Sequence, residues 1–177
     1  NGGHAGTQAY ELGDPDFRNE KSWGVEATLH AHGDGFSFDA SAYHSWFTNY
    51  IYETQTTQAP CEAAAAPSGR DVDLPCFQYA QADARYWGFE ADASLRLATI
   101  GGYAINADLL GDWVHAQVVN QGPVPRIPPL RLLGGLEAQG DTATARVEVE
   151  HSFEQDRVTA FETPTDGFTL VNASVSL

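Results

Sequence analysis

Between Trp87 and Leu97 apolar and polar side chains alternate without interruption. Trp87, Phe89, Ala91, Ala93, Leu95 and Leu97 share one parity, and Gly88, Glu90, Asp92, Ser94 and Arg96 share the other. A period of two is that of a β-strand, whose successive side chains point to opposite faces. One face must therefore meet something apolar and the other something wet. The same alternation recurs and predicts strands over residues 21–30, 36–52, 77–97, 103–118, 130–139, 142–153 and 168–177. In the first of these Trp23, Val25, Ala27 and Leu29 alternate with Gly24, Glu26 and Thr28. In the second Phe36, Phe38, Ala40, Ala42, His44 and Trp46 alternate with Ser37, Asp39, Ser41, Tyr43 and Ser45.

The connections fall into two classes. Short turns are predicted at 31–35, where His-Gly-Asp-Gly supplies residues that tolerate positive φ, at 98–102 and at Gly140-Asp141. Long polar loops are predicted over 1–20, 53–76, 120–129 and 154–167; the third is proline-rich, and proline cannot donate to a ladder. Seven strands joined in this order with no helical periodicity describe an all-β, antiparallel up-and-down meander. Tight turns at one end and long loops at the other are the asymmetry of outer-membrane β-barrels.

A chain of 177 residues accommodates one domain. Nine basic against 24 acidic residues give a formal charge of -15. That balance excludes nucleic acid as a partner, because phosphate contacts need Lys and Arg. Hydrophobic residues make up 42% of the chain, yet no apolar run approaches the roughly 20 residues of a membrane-spanning helix. A membrane barrel stays open to the chain, since its strands hide their apolar residues by alternation. The sequence has no initiator Met, signal peptide or lipidation motif, and reads as a mature piece or a fragment. Cys61 and Cys76 flank a loop-like stretch; paired, they would close a loop of about 15 residues and restrict the unfolded chain by about 3 kcal/mol. Pairing is the expectation, and implies an oxidising compartment; two unpaired surface thiols are the alternative.

The tryptophans bear on what the apolar face meets. Trp46 lies ten residues beyond Phe36, Trp113 ten beyond Tyr103, Trp87 ten before Leu97 and Trp23 seven before His30, all on the apolar parity. A tilted barrel strand needs roughly 9 to 11 residues to cross hydrocarbon, with its aromatics gathered at the interfaces. Trp23, Trp46, Trp87 and Trp113 would then form a girdle at the long-loop edge. The competing reading is a soluble β-sandwich binding module with these indoles in its core. Ala40, Ala42, Ala91, Ala93, Ala143 and Ala145 would make that core thin.

The segments GDPDFRNEKSWGVEA (13–27), FQYAQADARYWGFEADASL (77–95), GPVPRIPPLRL (122–132) and TDGFTLVNASVSL (165–177) resemble, in order and spacing, the later strands of TonB-dependent outer-membrane receptors. The Gly-Phe-Glu at 88–90 and the Thr-Leu-Val-Asn-Ala-Ser at 169–174 are the most specific pieces. His4-Ala5-Gly6-Thr7, followed by Tyr10-Glu11-Leu12-Gly13-Asp14-Pro15, is similar to a loop of the zinc- and haem-uptake branch, the ZnuD-like receptors. The resemblance implies a 22-stranded barrel around an N-terminal plug, of which this chain supplies about seven strands; plug and remaining strands are absent from it. It further implies a Gram-negative outer membrane, with lipid, lipopolysaccharide, the rest of the barrel and the TonB complex as partners. No intrinsic cofactor is expected, and zinc or haem would be cargo. Siderophore or carbohydrate uptake on the same barrel is the alternative.

Within that frame His4, with Glu11, Asp14 and Asp16 close in sequence, is the candidate metal set, because imidazole nitrogen and carboxylate oxygen suit zinc; a solvated loop histidine is the alternative. His30 and His32 sit at a short turn, whereas His44, His115 and His151 lie on the apolar parity. Glu26, Asp39, Glu90, Asp92, Asp108 and Asp112 would face the lumen, to guide a cation, pair with the plug or simply be solvated, with Arg96, Arg131 and Arg146 on the same side. No nucleophile elbow, zinc-hydrolase motif or phosphate loop occurs, so no enzyme is expected.

Overall fold

The computed structural model describes residues 1–4, 6–69 and 72–177. Ala5 of the amino-terminal motif and Arg70 and Asp71 of the 53–76 loop lie outside the described residues. Seven strands run up and down in chain order: β3 (Lys21–Gly33), β4 (Phe36–Gln55), β5 (Cys76–Ile100), β6 (Tyr103–Val118), β8 (Arg131–Gln139), β9 (Thr144–Ser152) and β10 (Phe168–Ser176). Each pairs antiparallel with its neighbours in that order, and among the described residues the outer edges of β3 and β10 have no partner. The chain is thus an all-β antiparallel wall of the kind that makes up part of a barrel. The two-residue β7 (Gly122–Pro123) adds to the end of β6.

The alternation carries the wall because one face is covered by nothing. Trp23 is 62% exposed, Leu29 and Leu109 58%, and Leu136 50%, although all belong to regular ladders. Among the described residues no second layer packs on them. The buried apolar core is small and lies at the long-loop end, where Ala116, Val118 and Val124 pack with Tyr50, Tyr52, Ala82, Tyr86 and Ile127. Among the described residues no helix is long and apolar enough to cross a membrane, which says nothing of strands.

Apart from the short β7 within 120–129, the structure departs from the expected loops in two places. Within 1–20, β1 (Gly2–His4) and β2 (Ala9–Leu12) form an antiparallel hairpin, and β2 pairs parallel with β5 through Tyr10↔Cys76, Glu11↔Phe77 and Leu12↔Gln78. The reason is an open edge. β6 reaches only Ala84 of β5, so the longer strand projects beyond it with unpaired backbone groups that β2 satisfies. Within 53–76, α1 (Gln58–Ala65) and a 3-10 turn (Ala66–Ser68) replace the expected loop. Alanines favour the helix, Pro60 falls in its first turn where a missing N–H costs little, and Gly69 at φ 66° closes the following turn. The helix is fastened by a Cys61–Cys76 disulfide, with Cα atoms 5.9 Å apart and both residues buried.

Candidate functional site

Three features of the wall could act on a ligand or a membrane. The first is an aromatic belt on the uncovered face. Trp23 stacks on Trp46 with ring centroids 4.0 Å apart, Trp46 on His44 at 3.9 Å and Trp87 on His115 at 4.0 Å. His44 to Trp87 spans 5.7 Å, and Trp113 continues to His115 at 5.8 Å and Phe89 at 6.0 Å. The belt follows register: Trp23 pairs with Trp46, His44 with Trp87, and Trp87 with His115. The four tryptophans thus lie together at one level of β3, β4, β5 and β6. The histidines between them were placed on the apolar parity by sequence, but their stacking needed the register.

The second feature is the wet face. Asp39 stands directly opposite Asp92, and Glu90 opposite Asp112, which sets like charges side by side on neighbouring strands. Opposed pairs have Cβ atoms about 4.5–5.5 Å apart and repel. Part of that charge is compensated locally. Arg131 bonds Asp112, with Nη2 2.6 Å from Oδ1, and His30 Nδ1 lies 2.5 Å from Asp39 Oδ1. Arg146 donates to Asp108 and, at 3.2 Å, to Glu148. To reach Asp108 it crosses β8 at Gly135, where a Cβ would stand 2.6 Å from its guanidinium. Glu26, Glu90 and Asp92 have no ion-pair partner among the described residues. A concavity of about 460 Å³ opens here, lined by His30, Asp39, Glu90, Asp92, Asp112 and Arg131 among others.

The third feature is the long-loop end. Arg126, from the proline-rich loop, donates to Glu53 at 2.8 Å, while Glu162 from the 154–167 loop accepts the Arg126 N–H at 2.6 Å and both the N–H and hydroxyl of Thr159. Partial burial would raise the Glu162 carboxyl, but these hydrogen bonds outweigh it and hold the group below the usual carboxylate range. Tyr52 donates to Gln121, and burial pushes the Tyr52 phenol up. Tyr52, Gln121, Thr159 and Phe161 line part of a cavity of about 640 Å³ between these loops. Sequence reasoning singled out none of these loop residues, because they come from three separate, aperiodic segments.

The candidate metal set is not assembled. His4 Nε2 lies 3.8 Å from Glu11 Oε2, but that carboxylate also accepts from Thr7 at 2.9 Å and Tyr79 at 3.1 Å. The hydrogen bond to Glu11, with burial, raises the Tyr79 phenol. Asp14 instead accepts the Asp16 N–H at 2.9 Å in a local turn. Among the described residues no group of three or more His, Cys, Asp or Glu is placed to hold a metal ion. The physical reason is that Glu11 on β2 is engaged by Tyr79 of β5, while Asp14 and Asp16 follow the hairpin in a turn of their own.

Residues 1–177 match the family described as TonB dependent receptor-like, beta-barrel. The wall is similar in structure to the copper transporter OprC, with a TM-score of 0.75 and 19% identity over 91% of this chain. The match spans 24% of that transporter's length, so this chain corresponds to about a quarter of it.

Proposed function

Because the chain belongs to the TonB-dependent receptor β-barrel family, we propose that it forms part of the wall of an outer-membrane receptor that takes up a metal ion or metal complex, zinc or haem, with energy from TonB. The observation that carries this reading is the uncovered apolar face bounded by the tryptophan belt. A soluble sandwich would need a second sheet over Trp23 and Leu109, and no such layer lies there among the described residues. The structural similarity to a copper transporter adds support for a metal cargo. In this reading the unpaired edges of β3 and β10 join the rest of the barrel, a plug fills the lumen against Glu26, Glu90 and Asp92, and the long loops face the medium. Negative charge on loops and lumen raises the local concentration of cations.

The test is accumulation of radiolabelled zinc, and separately growth on haem, in cells carrying or lacking the intact receptor, with TonB present or deleted. Uptake that needs both receptor and TonB is expected. Equal uptake without the receptor would remove the assignment. Calorimetry on the intact receptor with His4→Ala reports on the proposed zinc ligand: weaker zinc binding is expected, and unchanged affinity removes His4 from that role. A second reading is favoured by the 640 Å³ loop cavity, whose tyrosine, threonine, glutamine and proline lining suits an organic ligand such as a siderophore or carbohydrate. Growth on such a compound as sole iron or carbon source, lost on deletion, would favour it.

A further inference from the structure

Beyond the aromatic belt β4 outruns its partner on one side. β3 pairs with it only as far as Lys21↔Thr48, whereas β4 continues along β5 to Gln55↔Phe77. Successive residues of a strand turn their main-chain N–H and C=O groups to opposite edges. The Thr56 N–H donates to the Cys76 carbonyl at 3.0 Å, so even-numbered residues here turn toward β5. Ile51, Glu53 and Gln55 therefore turn to the side that β3 has left. The Ile51 N–H is met there by the Glu20 carboxylate at 2.8 Å. Among the described residues the Ile51 carbonyl and both main-chain groups of Glu53 and of Gln55 have no partner.

Neither neighbouring segment covers this edge. The chain from β2 to β3 crosses the face of β5 instead: the Arg18 main chain bonds both ends of the Gln81 amide at 2.9 and 2.7 Å, and the Asn19 carbonyl accepts from the Asn49 side chain at 3.3 Å. α1 packs against β2 and β5, and its disulfide fixes it to Cys76. Open strand edges are commonly blunted by Pro, Lys or a bulge. Residues 50–55, Tyr-Ile-Tyr-Glu-Thr-Gln, hold neither Pro nor Lys, and the register shift of β4 lies before them, between Phe47 and Tyr50. Their one charged side chain, Glu53, is only 10% exposed and is bonded to Arg126. Ile, Tyr and Thr favour the extended chain, so about 17 Å of regular strand stands with one edge unprotected.

We propose that the edge of β4 from Ile51 to Gln55 docks a basic, extended polypeptide segment arriving from the medium, which adds to the sheet as a further strand. The hydrogen-bonding pattern selects the occupant: a donor and an acceptor recur together at every second residue, about 6.6 Å apart, which is the repeat of another strand and not of an ion or a sugar. Ile51, 39% exposed, offers an apolar neighbour to an aliphatic side chain on the incoming strand. The net charge of -15 favours the approach of a basic segment over an acidic one. The edge is accessible from the medium because Glu53 lies seven residues past Trp46, roughly 15 Å beyond the belt for a strand tilted by about 40°. Only that orientation rests on the proposed function.

The experiment uses the purified intact receptor in detergent and, as probe, the capped peptide Lys-Thr-Val-Thr-Val-Thr-Lys, with affinity read by calorimetry and the bound edge by amide hydrogen exchange. Slowed exchange of the Glu53 and Gln55 amides at saturating peptide is expected. Gln55→Pro removes an N–H that the β4–β5 ladder does not use, and should weaken binding about fivefold to tenfold, the loss of one hydrogen bond. Gln55→Ala keeps the N–H and should bind within twofold of wild type, and the peptide with Glu in place of both Lys should bind more weakly. Exchange at Glu53 and Gln55 that peptide leaves unchanged in the wild-type receptor overturns the proposal, whether or not Gln55→Pro folds. Equal loss in Gln55→Ala would mean a side-chain contact, and equal binding of the acidic peptide would remove the basic partner; either overturns it. A receptor that imports its cargo without this protection loses only the docking edge, whereas one that shows the protection but imports nothing loses only the transport reading.

Discussion

Replacing Leu109 by arginine separates a lipid-facing wall from a water-facing one. Leu109 is on the apolar face, six residues beyond Tyr103 and four before Trp113. With a rise of about 3.3 Å per residue and a tilt of about 40°, those ten residues span about 25 Å of depth, the height of a barrel's apolar band. Leu109 then lies about 15 Å from the turn edge and within a few ångströms of the midplane. Arginine at that depth costs about 2–4 kcal/mol, which lowers the folded-to-unfolded ratio about 30- to 700-fold. Val25, two residues from Trp23, sits about 5 Å inside the belt, where the same substitution costs about 0–1 kcal/mol. The contrast is informative because the two side chains are almost equally exposed on this wall, 58% for Leu109 and 57% for Val25. In water both changes would fall within about 0.5 kcal/mol of neutral. The assay is reversible guanidinium unfolding of the intact receptor in lipid vesicles, followed by tryptophan emission. Equal, near-zero costs for Leu109→Arg and Val25→Arg would refute the orientation and everything that follows from it.

Three further outcomes follow from local geometry. Gly135→Val should drive Arg146 off Asp108, since the first added carbon already stands 2.6 Å from the guanidinium, and destabilise the β6–β8–β9 region by about 1–3 kcal/mol, read as faster amide exchange there. Reducing Cys61–Cys76 frees a loop whose ends are 15 residues apart and should cost about 3 kcal/mol, seen as protease cleavage within 58–69 while the wall stays resistant. Glu162 has a folded carboxyl held below its ordinary value, so its stabilising effect is full above the ordinary carboxylate range and is lost as pH falls through the lowered value. Acidification should therefore loosen the 120–129 and 154–167 loops first, and Glu162→Gln should remove that part of the pH dependence; exchange that is independent of pH in both proteins would contradict it.

The wall was legible because one surface imposes a period of two on every strand that crosses it. Residues 103–118 read as a strand, and β6 is Tyr103–Val118. β5 runs past the expected 77–97 at both ends, to Cys76 and Ile100. β2 and α1 were illegible for different reasons. A four-residue strand that pairs in parallel with a partner more than 60 residues away leaves no local signature, and an eight-residue helix is too short to show a 3.6 period. Ion pairing such as Arg146 with Asp108 depends on three strands in register and a glycine between them, which alternation within one strand cannot report.

The inner face supplies an argument for the same orientation that does not involve the tryptophans. Asp39 opposite Asp92 and Glu90 opposite Asp112 put like-charged side chains on Cβ atoms about 5 Å apart. In bulk water two such charges repel by less than about 1 kcal/mol, but at an effective dielectric of 20 the figure is about 3 kcal/mol for each pair, a large part of what holds a domain together. Arg131 and His30 reach one member of each pair and leave Glu90 and Asp92 uncompensated. These residues are tolerable only against water or a cationic surface, so an apolar layer cannot cover this side. Because the opposite side is rich in exposed Leu, Val and Trp, the sheet must divide an aqueous compartment from an apolar one, which is the arrangement of a barrel wall and not of a sheet packed within a soluble core.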